Sequence, residues 1–580
     1  MRIIVLFIIL FAAACNSATE ISADRQGVGK GLPNSWTKGA MVVAANPHAV
    51  AAAIEILEQG GHAVDAAIAA HTVLGLVEPQ SSGIGGGGFM LVYDRASNNL
   101  SAYDGRETAP AGASEDMFMH DGKALGFLKA WQSGVSVGVP GAVAMYQLAH
   151  EDHGRLAWSK VFQPAIRLAT DGFEVSPRLA NMVRGMARPT RLDDNPVTAK
   201  YFYPDGKPLS MGHLLKNREY AETLKRIAGE GIQAFYSGDI AAQIVVAAQA
   251  EPNGGTLTVT DMENYRAIKR EAVCGGFRNL TICAPPPPSS GFVQIMIAGL
   301  YDYLATDATS HSEKVQAFVD AQRLSYADRD HFVADPAYID VPFDVLIRPD
   351  YIRYRAKERF APDAATTPGD PAAIDSMATA ASLWGVDTTV EIGGTTHLSI
   401  IDQYGNAVSL TASVEAAFGS SRWAGGFLLN NELTDFAKTP AADGRVVANA
   451  IAPGKRPRSS MSPIIVFDQN NDLLMVTGSP GGNSILAYVA KSVLGVLDWN
   501  FSAQQAVDYP NIFARGRSIR VEAADATGQQ LAATLSALGY TVQKPRNETS
   551  GLHMIVVRPD GLEGGADKRR EGTVGILQPN

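Results

Sequence analysis

Residues 391–402 read Glu391-Ile-Gly-Gly394-Thr395-Thr396-His397-Leu398-Ser399-Ile400-Ile401-Asp402. A polar stretch rich in Ala, Pro and Asp, from about 361 to 389, runs into two glycines and then into a strand that opens with paired hydroxyls. A Thr-rich strand start is commonplace, so the surroundings must decide what it means. Downstream, 396–401, 407–411, 464–467 and 473–477 carry strand patterns, and a helix over about 484–497 covers them. Upstream, 41–45 reads as a short buried strand, and Asn46-Pro47 then supplies an N-cap with proline in the first helical position. That helix ends at Gly60-Gly61, and a second, Ala-rich one spans about 64–77. A glycine loop over 84–88 enters a strand, and roughly 110–250 is mostly amphipathic helix. Strands return from Thr256, followed by the rigid 285–291 turn and by helices to about Ala334. Strands and helices intermixed in this way predict sheets sandwiched between helices.

The 580 residues are 46% hydrophobic and 19% charged, the balance of a soluble globular protein. A net charge of −10 lacks the basic field that nucleic acid requires, which leaves small molecules and proteins as partners. Gly83-Ile-Gly85-Gly-Gly87-Gly88 has the spacing of a dinucleotide loop, but it leads into a strand, and that fingerprint must open a helix. There is no Walker A run, HExxH, CxxC or GxSxG, and the 11 histidines are scattered, so neither a metal nor a cofactor is expected.

The start of the chain is a separate object. Met1-Arg2 is basic, 3–11 is apolar, and Ala12-Ala13-Ala14-Cys15 follows. The apolar run is shorter than the roughly 20 residues that cross a bilayer, so 1–14 reads as an export signal. Cleavage after Ala14 would leave Cys15 first, which resembles a bacterial lipoprotein, although Ala12 stands where such signals usually carry Leu. The alternative is a plain secretory peptide. Either way the expected location is the periplasm, free or lipid-anchored through Cys15. Cys274 and Cys283 flank a hairpin turning at Arg278-Asn279, which sets them opposite each other on a non-hydrogen-bonded pair. A disulfide there and two half-buried thiols are both compatible with that register.

Seven stretches in order resemble the γ-glutamyltransferase family. They are 85–90, Asp104-Gly-Arg106-Glu107-Thr-Ala-Pro110, 286–291, Thr395-Thr-His397, 428–436, Arg456-Pro-Arg-Ser459-Ser460-Met-Ser-Pro463 and Thr477-Gly-Ser-Pro-Gly481-Gly482. The resemblance implies an α+β fold of the N-terminal-nucleophile hydrolase type, a four-layer αββα sandwich. It also implies a precursor that cuts itself between Gly394 and Thr395, into a large fragment (15–394) and a small one (395–580) that stay together as a heterodimer. Thr395 would then be the nucleophile, its new α-amine, with a pKa of about 7.7–8.0, serving as base. Ser413 stands where the family usually has Thr and would orient the Thr395 hydroxyl, and the N–H groups of Gly481 and Gly482 would form the oxyanion hole. Arg106, Ser459 and Ser460 would grip the α-carboxylate of a γ-glutamyl group, and Glu432 and Asp435 its ammonium. Glutathione-like amides would be donors, with water, amino acids or peptides as acceptors.

Three positions depart from the family pattern. Glu415 replaces an Asn that contacts the substrate head group, and a carboxylate there repels the substrate's own unless it is paired or faces the ammonium. The segment between Phe436 and Lys455 looks short and has no aromatic residue to close as a lid, so an open site is expected. Gly394 stands where some members carry a larger polar residue, an exchange expected to matter little for processing. Two other readings remain open: an acylase of the same scaffold, acting on cephalosporins or poly-γ-glutamate, and an uncleaved lipoprotein that only binds ligands.

Overall fold

The computed structural model describes residues 36–578 with the exception of Arg359. The export signal and Cys15 lie outside the described residues. No helix among those described is long and apolar enough to cross a membrane.

The strand patterns resolve into two antiparallel sheets. One has seven strands, in the order Thr573–Leu577, Ala40–Ala44, Thr395–Ile401, Ala407–Ser413, Gly87–Asp94, Asn99–Gly105 and Ile268–Glu271. The other has six: Gly561–Ala566, His553–Arg558, Leu473–Gly478, Ile464–Phe467, Leu280–Ala284 and Val273–Phe277. Side chains alternate across a strand, so each sheet feeds two cores. Val42, Leu398, Ile400 and Leu410 pack outward against the helices Pro47–Glu58 and Ala63–Val77. Met41, Val43, Leu91, Ile465, Val476 and Ile555 pack between the sheets. Ile464, Val466 and Met475 face the helices Phe292–Leu304, His311–Phe332 and Ile485–Leu497. The result is four layers: helices, sheet, sheet, helices.

Local chemistry explains much of the element list. Asn46 caps the first helix by accepting the His48 N–H at 3.0 Å, with Pro47 in the first turn. The Thr256 region opens with a short helix, Val259–Asn264, before its first strand, because Thr258 and Asp261 cap each other reciprocally. The segment 361–389 holds only single turns. The hairpin register pairs Cys274 with Cys283, whose Cα atoms are 4.1 Å apart and whose sulfurs are bonded.

Candidate active site

Thr395 is the first residue of a strand in the middle of the seven-stranded sheet, and its register partner is Ser413. The Thr395 and Ser413 hydroxyls are 3.2 Å apart, and Ser413 Oγ donates to the Gly394 carbonyl at 3.2 Å. Ser413 Oγ also accepts the Glu415 N–H at 2.7 Å, which leaves its own proton free for that carbonyl. Arg570, from the end of the chain, donates to the Thr395 carbonyl at 2.5 Å. The hydroxyl, the bond before it and a polarising donor are therefore held together. His397 does not join them: it hydrogen-bonds Thr411 and Ser399 between the sheets, and burial keeps its ring neutral.

Below lies a buried acidic pocket. Arg106 is fully buried, its guanidinium paired with Glu432 and with Asp435 (2.5 Å), and Glu107 lies 3.8 Å away. Burial works against the Arg106 charge, but the carboxylates outweigh it and hold its pKa up. Burial raises the carboxyls of Glu107, Glu432 and Asp435 in turn. The Arg106 fork expected to take a substrate carboxylate is thus already engaged in the uncleaved chain, because three carboxylates surround one cation. Glu415 accepts the Ile392 N–H (3.1 Å) and the Asn431 side-chain amide (2.6 Å). Burial, then Glu432, pushes its carboxyl up to about 8, so near neutrality it is mostly uncharged and does not repel a substrate carboxylate.

The expected open site is absent from the uncleaved chain. The cavity beside Thr395 measures only about 10 Å³. Residues 391–394 fill it: Glu391 N–H donates to Asn483 Oδ1 (2.7 Å) and Gly394 N–H to the Glu415 carbonyl (2.5 Å). A Cβ on Gly394 would stand 2.5 Å from that carbonyl, so a larger residue needs the backbone to move, contrary to the tolerance expected there. Gly482, at φ 54°, has no room for a side chain because the Glu391 carbonyl lies against it. Gly481 and Gly482 are thereby packed against the segment that precedes Thr395, since a Cβ on Gly393 would stand 2.9 Å from Gly481 and 3.0 Å from the Gly482 nitrogen. The stretch after Phe436 folds into a small hairpin, Ala441–Ala442 with Arg445–Val446, whose Val446 carbonyl accepts the Gly385 N–H at 2.9 Å. It is tied to the chain upstream of that segment, at Gly385.

Ser459 and Ser460 line the cavity with Glu432 and Asp435. One set of metal-type ligands, His62, Asp94 and His153, comes within 4.8 Å among the described residues. His62 Nδ1 accepts the Val64 N–H, which leaves Nε2 carrying the proton and unable to ligate.

A model of the family described as "Gamma-glutamyltranspeptidase" matches residues 49–577. The chain belongs to this family. It is 34% identical to the glutathione hydrolase proenzyme of Bacillus subtilis, over 93% of this chain and 92% of that one. It is 33% identical to the glutathione hydrolase proenzyme of Escherichia coli, covering 92% and 90%. Among solved structures, the cephalosporin acylase from Bacillus halodurans superposes with a TM-score of 0.81 at 26% identity, covering 96% of this chain and 99% of that one. The four layers are thus those of a self-cleaving N-terminal-nucleophile hydrolase, and the chain is an enzyme of that type.

Within the γ-glutamyltranspeptidase framework, sequence reasoning passed over Glu391, Arg329, Arg458, Asn431 and Arg570. Arg458 and Asn431 stand inside the very stretches that carry the resemblance. Nothing in their local pattern marks them, since charged and polar residues in loops read as solvated until the fold buries them.

Proposed function

We propose that this enzyme is a γ-glutamyl hydrolase and transferase that matures by cutting itself between Gly394 and Thr395. The observation carrying this is the 3.2 Å pair of contacts from Thr395 Oγ to Ser413 and from Ser413 to the Gly394 carbonyl. Thr395 Oγ attacks that carbonyl, the 394–395 amide bond breaks, and the nitrogen takes up the proton as the new α-amine. Water then hydrolyses the Gly394 ester, freeing the hydroxyl. The amine titrates at about 7.7–8.0, near working pH, and can accept the hydroxyl proton in each later turnover. Once 391–394 withdraw, the N–H groups of Gly481 and Gly482 face the acyl oxygen, and loss of one such donor typically costs about 10²–10³ in rate. A γ-glutamyl ester on Thr395 then passes to water, an amino acid or a peptide.

Fragments 15–394 and 395–580 form the working pair, exported and anchored through a lipid on Cys15. On a denaturing gel the purified protein should give two bands, the smaller beginning Thr-Thr-His-Leu. Thr395→Ala should give one, and a Thr395→Ala chain that still splits at this bond defeats the reading. Cys15→Ala should move the enzyme from the membrane to the soluble fraction. The likeness to a cephalosporin acylase over nearly the whole chain favours a second reading, an acylase. Turnover of γ-glutamyl anilide and glutathione but not glutaryl-cephalosporin selects the first.

A further inference from the structure

Arg570 is a buried cation with no anion of its own. Its guanidinium hydrogen-bonds two carbonyls, that of Thr395 at 2.5 Å and that of Thr549 at 2.9 and 3.2 Å. It forms no ion pair among the described residues, since Asp567 in the same turn pairs with Arg569 at 3.1 Å. The stem is packed as well: a Cβ on Gly551 would stand 2.8 Å from Arg570 Cδ. Burial, then Arg178, lowers its pKa to about 9 against Glu78, Asp567 and Tyr488, so the guanidinium is charged at neutral pH. The other groups on that side leave the charge uncancelled. Arg178, on the helix Pro177–Gly185, pairs with Glu78 at 3.2 Å. Burial holds His553 at about 4, so its ring is neutral, and burial keeps Tyr488 protonated.

Across Thr395 the charge is of the other sign. Glu391, Glu415, Glu432 and Asp435 line its cavity. Glu391 is matched by Arg329 and Arg458, and Glu415 is mostly uncharged below about 8. Glu107, Glu432 and Asp435 share the single cation of Arg106. Cleavage at 394–395 places a new α-amine between the two sides. The carboxylates favour its ammonium form, and an ammonium cannot accept the Thr395 hydroxyl proton. Arg570 opposes them at close range. Its Nη1 bonds the carbonyl of the residue that carries the amine, and standard backbone dimensions put it within roughly 6 Å of that nitrogen.

We infer that Arg570 is a positioning residue for the catalytic base: its guanidinium, fixed on the Thr395 carbonyl, offsets the acidic pocket and keeps the α-amine free to take a proton. The inference rests on the proposed γ-glutamyl reading, in which that amine is the base. Arg178 adds a weaker push of the same sign from farther away.

The test follows kcat/KM for a γ-glutamyl anilide against pH in the processed enzyme, where the acid limb reports the base of the free enzyme. Arg570→Gln, which keeps a donor for the carbonyl but loses the charge, should move that limb up by about one to two pH units. Arg570→Lys should leave it in place. Arg178→Met removes a cation whose side chain contacts Glu78 and Ser81 rather than Thr395, and it should move the limb the same way by less. Nitrogen NMR of the threonine-labelled wild-type enzyme gives a reading that needs no variant: the amine should titrate near its ordinary value of about 7.7–8.0. An unmoved limb in Arg570→Gln, an equal shift in Arg570→Lys, or, where Arg570→Gln does not process, an unmoved limb in Arg178→Met overturns the inference. So does a wild-type amine that titrates above about 9. A wild-type chain that stays in one piece on the gel defeats the proposed function and this inference together, whereas two bands with any of those pH results defeats the inference alone.

Discussion

Two residues beside the scissile bond show how tightly the precursor is drawn. A side chain on Gly394 meets the Glu415 carbonyl at 2.5 Å, so Gly394→Val forces the strand ends apart. Overpacking of that kind costs on the order of 1–3 kcal/mol. Spent on the attack geometry, it slows self-cleavage about ten- to hundredfold, which a gel time course of freshly folded precursor would reveal. Glu415 governs a pH effect instead. Its folded carboxyl titrates at about 8, above that of an unfolded chain, so the native state retains a proton the unfolded state has released. That stability is complete below the ordinary carboxylate range and is lost as pH rises through about 8. In a Thr395→Ala background, Glu415→Gln should therefore flatten the fall in melting temperature between about pH 5 and about pH 9. An unchanged slope would mean that Glu415 is ionised throughout.

Single elements were legible to the extent that their causes are local. Asn46-Pro47 announces a helix, and the turn at Arg278-Asn279 sets a register that places Cys274 opposite Cys283. The pairing of Ala40–Ala44 with Thr395–Ile401 has no such signature, because partners so far apart in sequence leave no periodicity in either strand. The ion groups were illegible for a related reason: Arg329 sits on a long helix whose pattern says only that one face is buried, and its partners come from 290, 391 and 460. The hairpin Val273–Phe277 with Leu280–Ala284 closes the edge of the six-stranded sheet with its disulfide. A loop of that size contributes about 2–3 kcal/mol in the chain-entropy account. Reduction should accelerate amide hydrogen exchange in 273–284 while leaving the Thr395 strand protected. Uniform acceleration across both sheets would contradict a local role.

Across the whole molecule, the cut separates chain ends without separating neighbours. In the central sheet, Thr395–Ile401 lies between Ala40–Ala44 and Ala407–Ser413, and the latter pairs with Gly87–Asp94. Strands from both sides of the cleavage point are thus neighbours within one sheet, and no ladder bond is lost when 394 parts from 395. The processed enzyme should elute as one species in native gel filtration and unfold in one transition, with both fragments in the same peak until denaturant is added. Release of the small fragment at neutral pH would argue against this interleaving. The grip of Arg570 on the Thr395 carbonyl has a consequence for biosynthesis. That arginine stands 175 positions beyond the nucleophile, so Thr395 is fully seated only once the chain through 570 has been made and folded. A copy cut short before 570, or one whose later strands have not yet docked, lacks this hold, and the enzyme's arming step doubles as an inspection of its own folding.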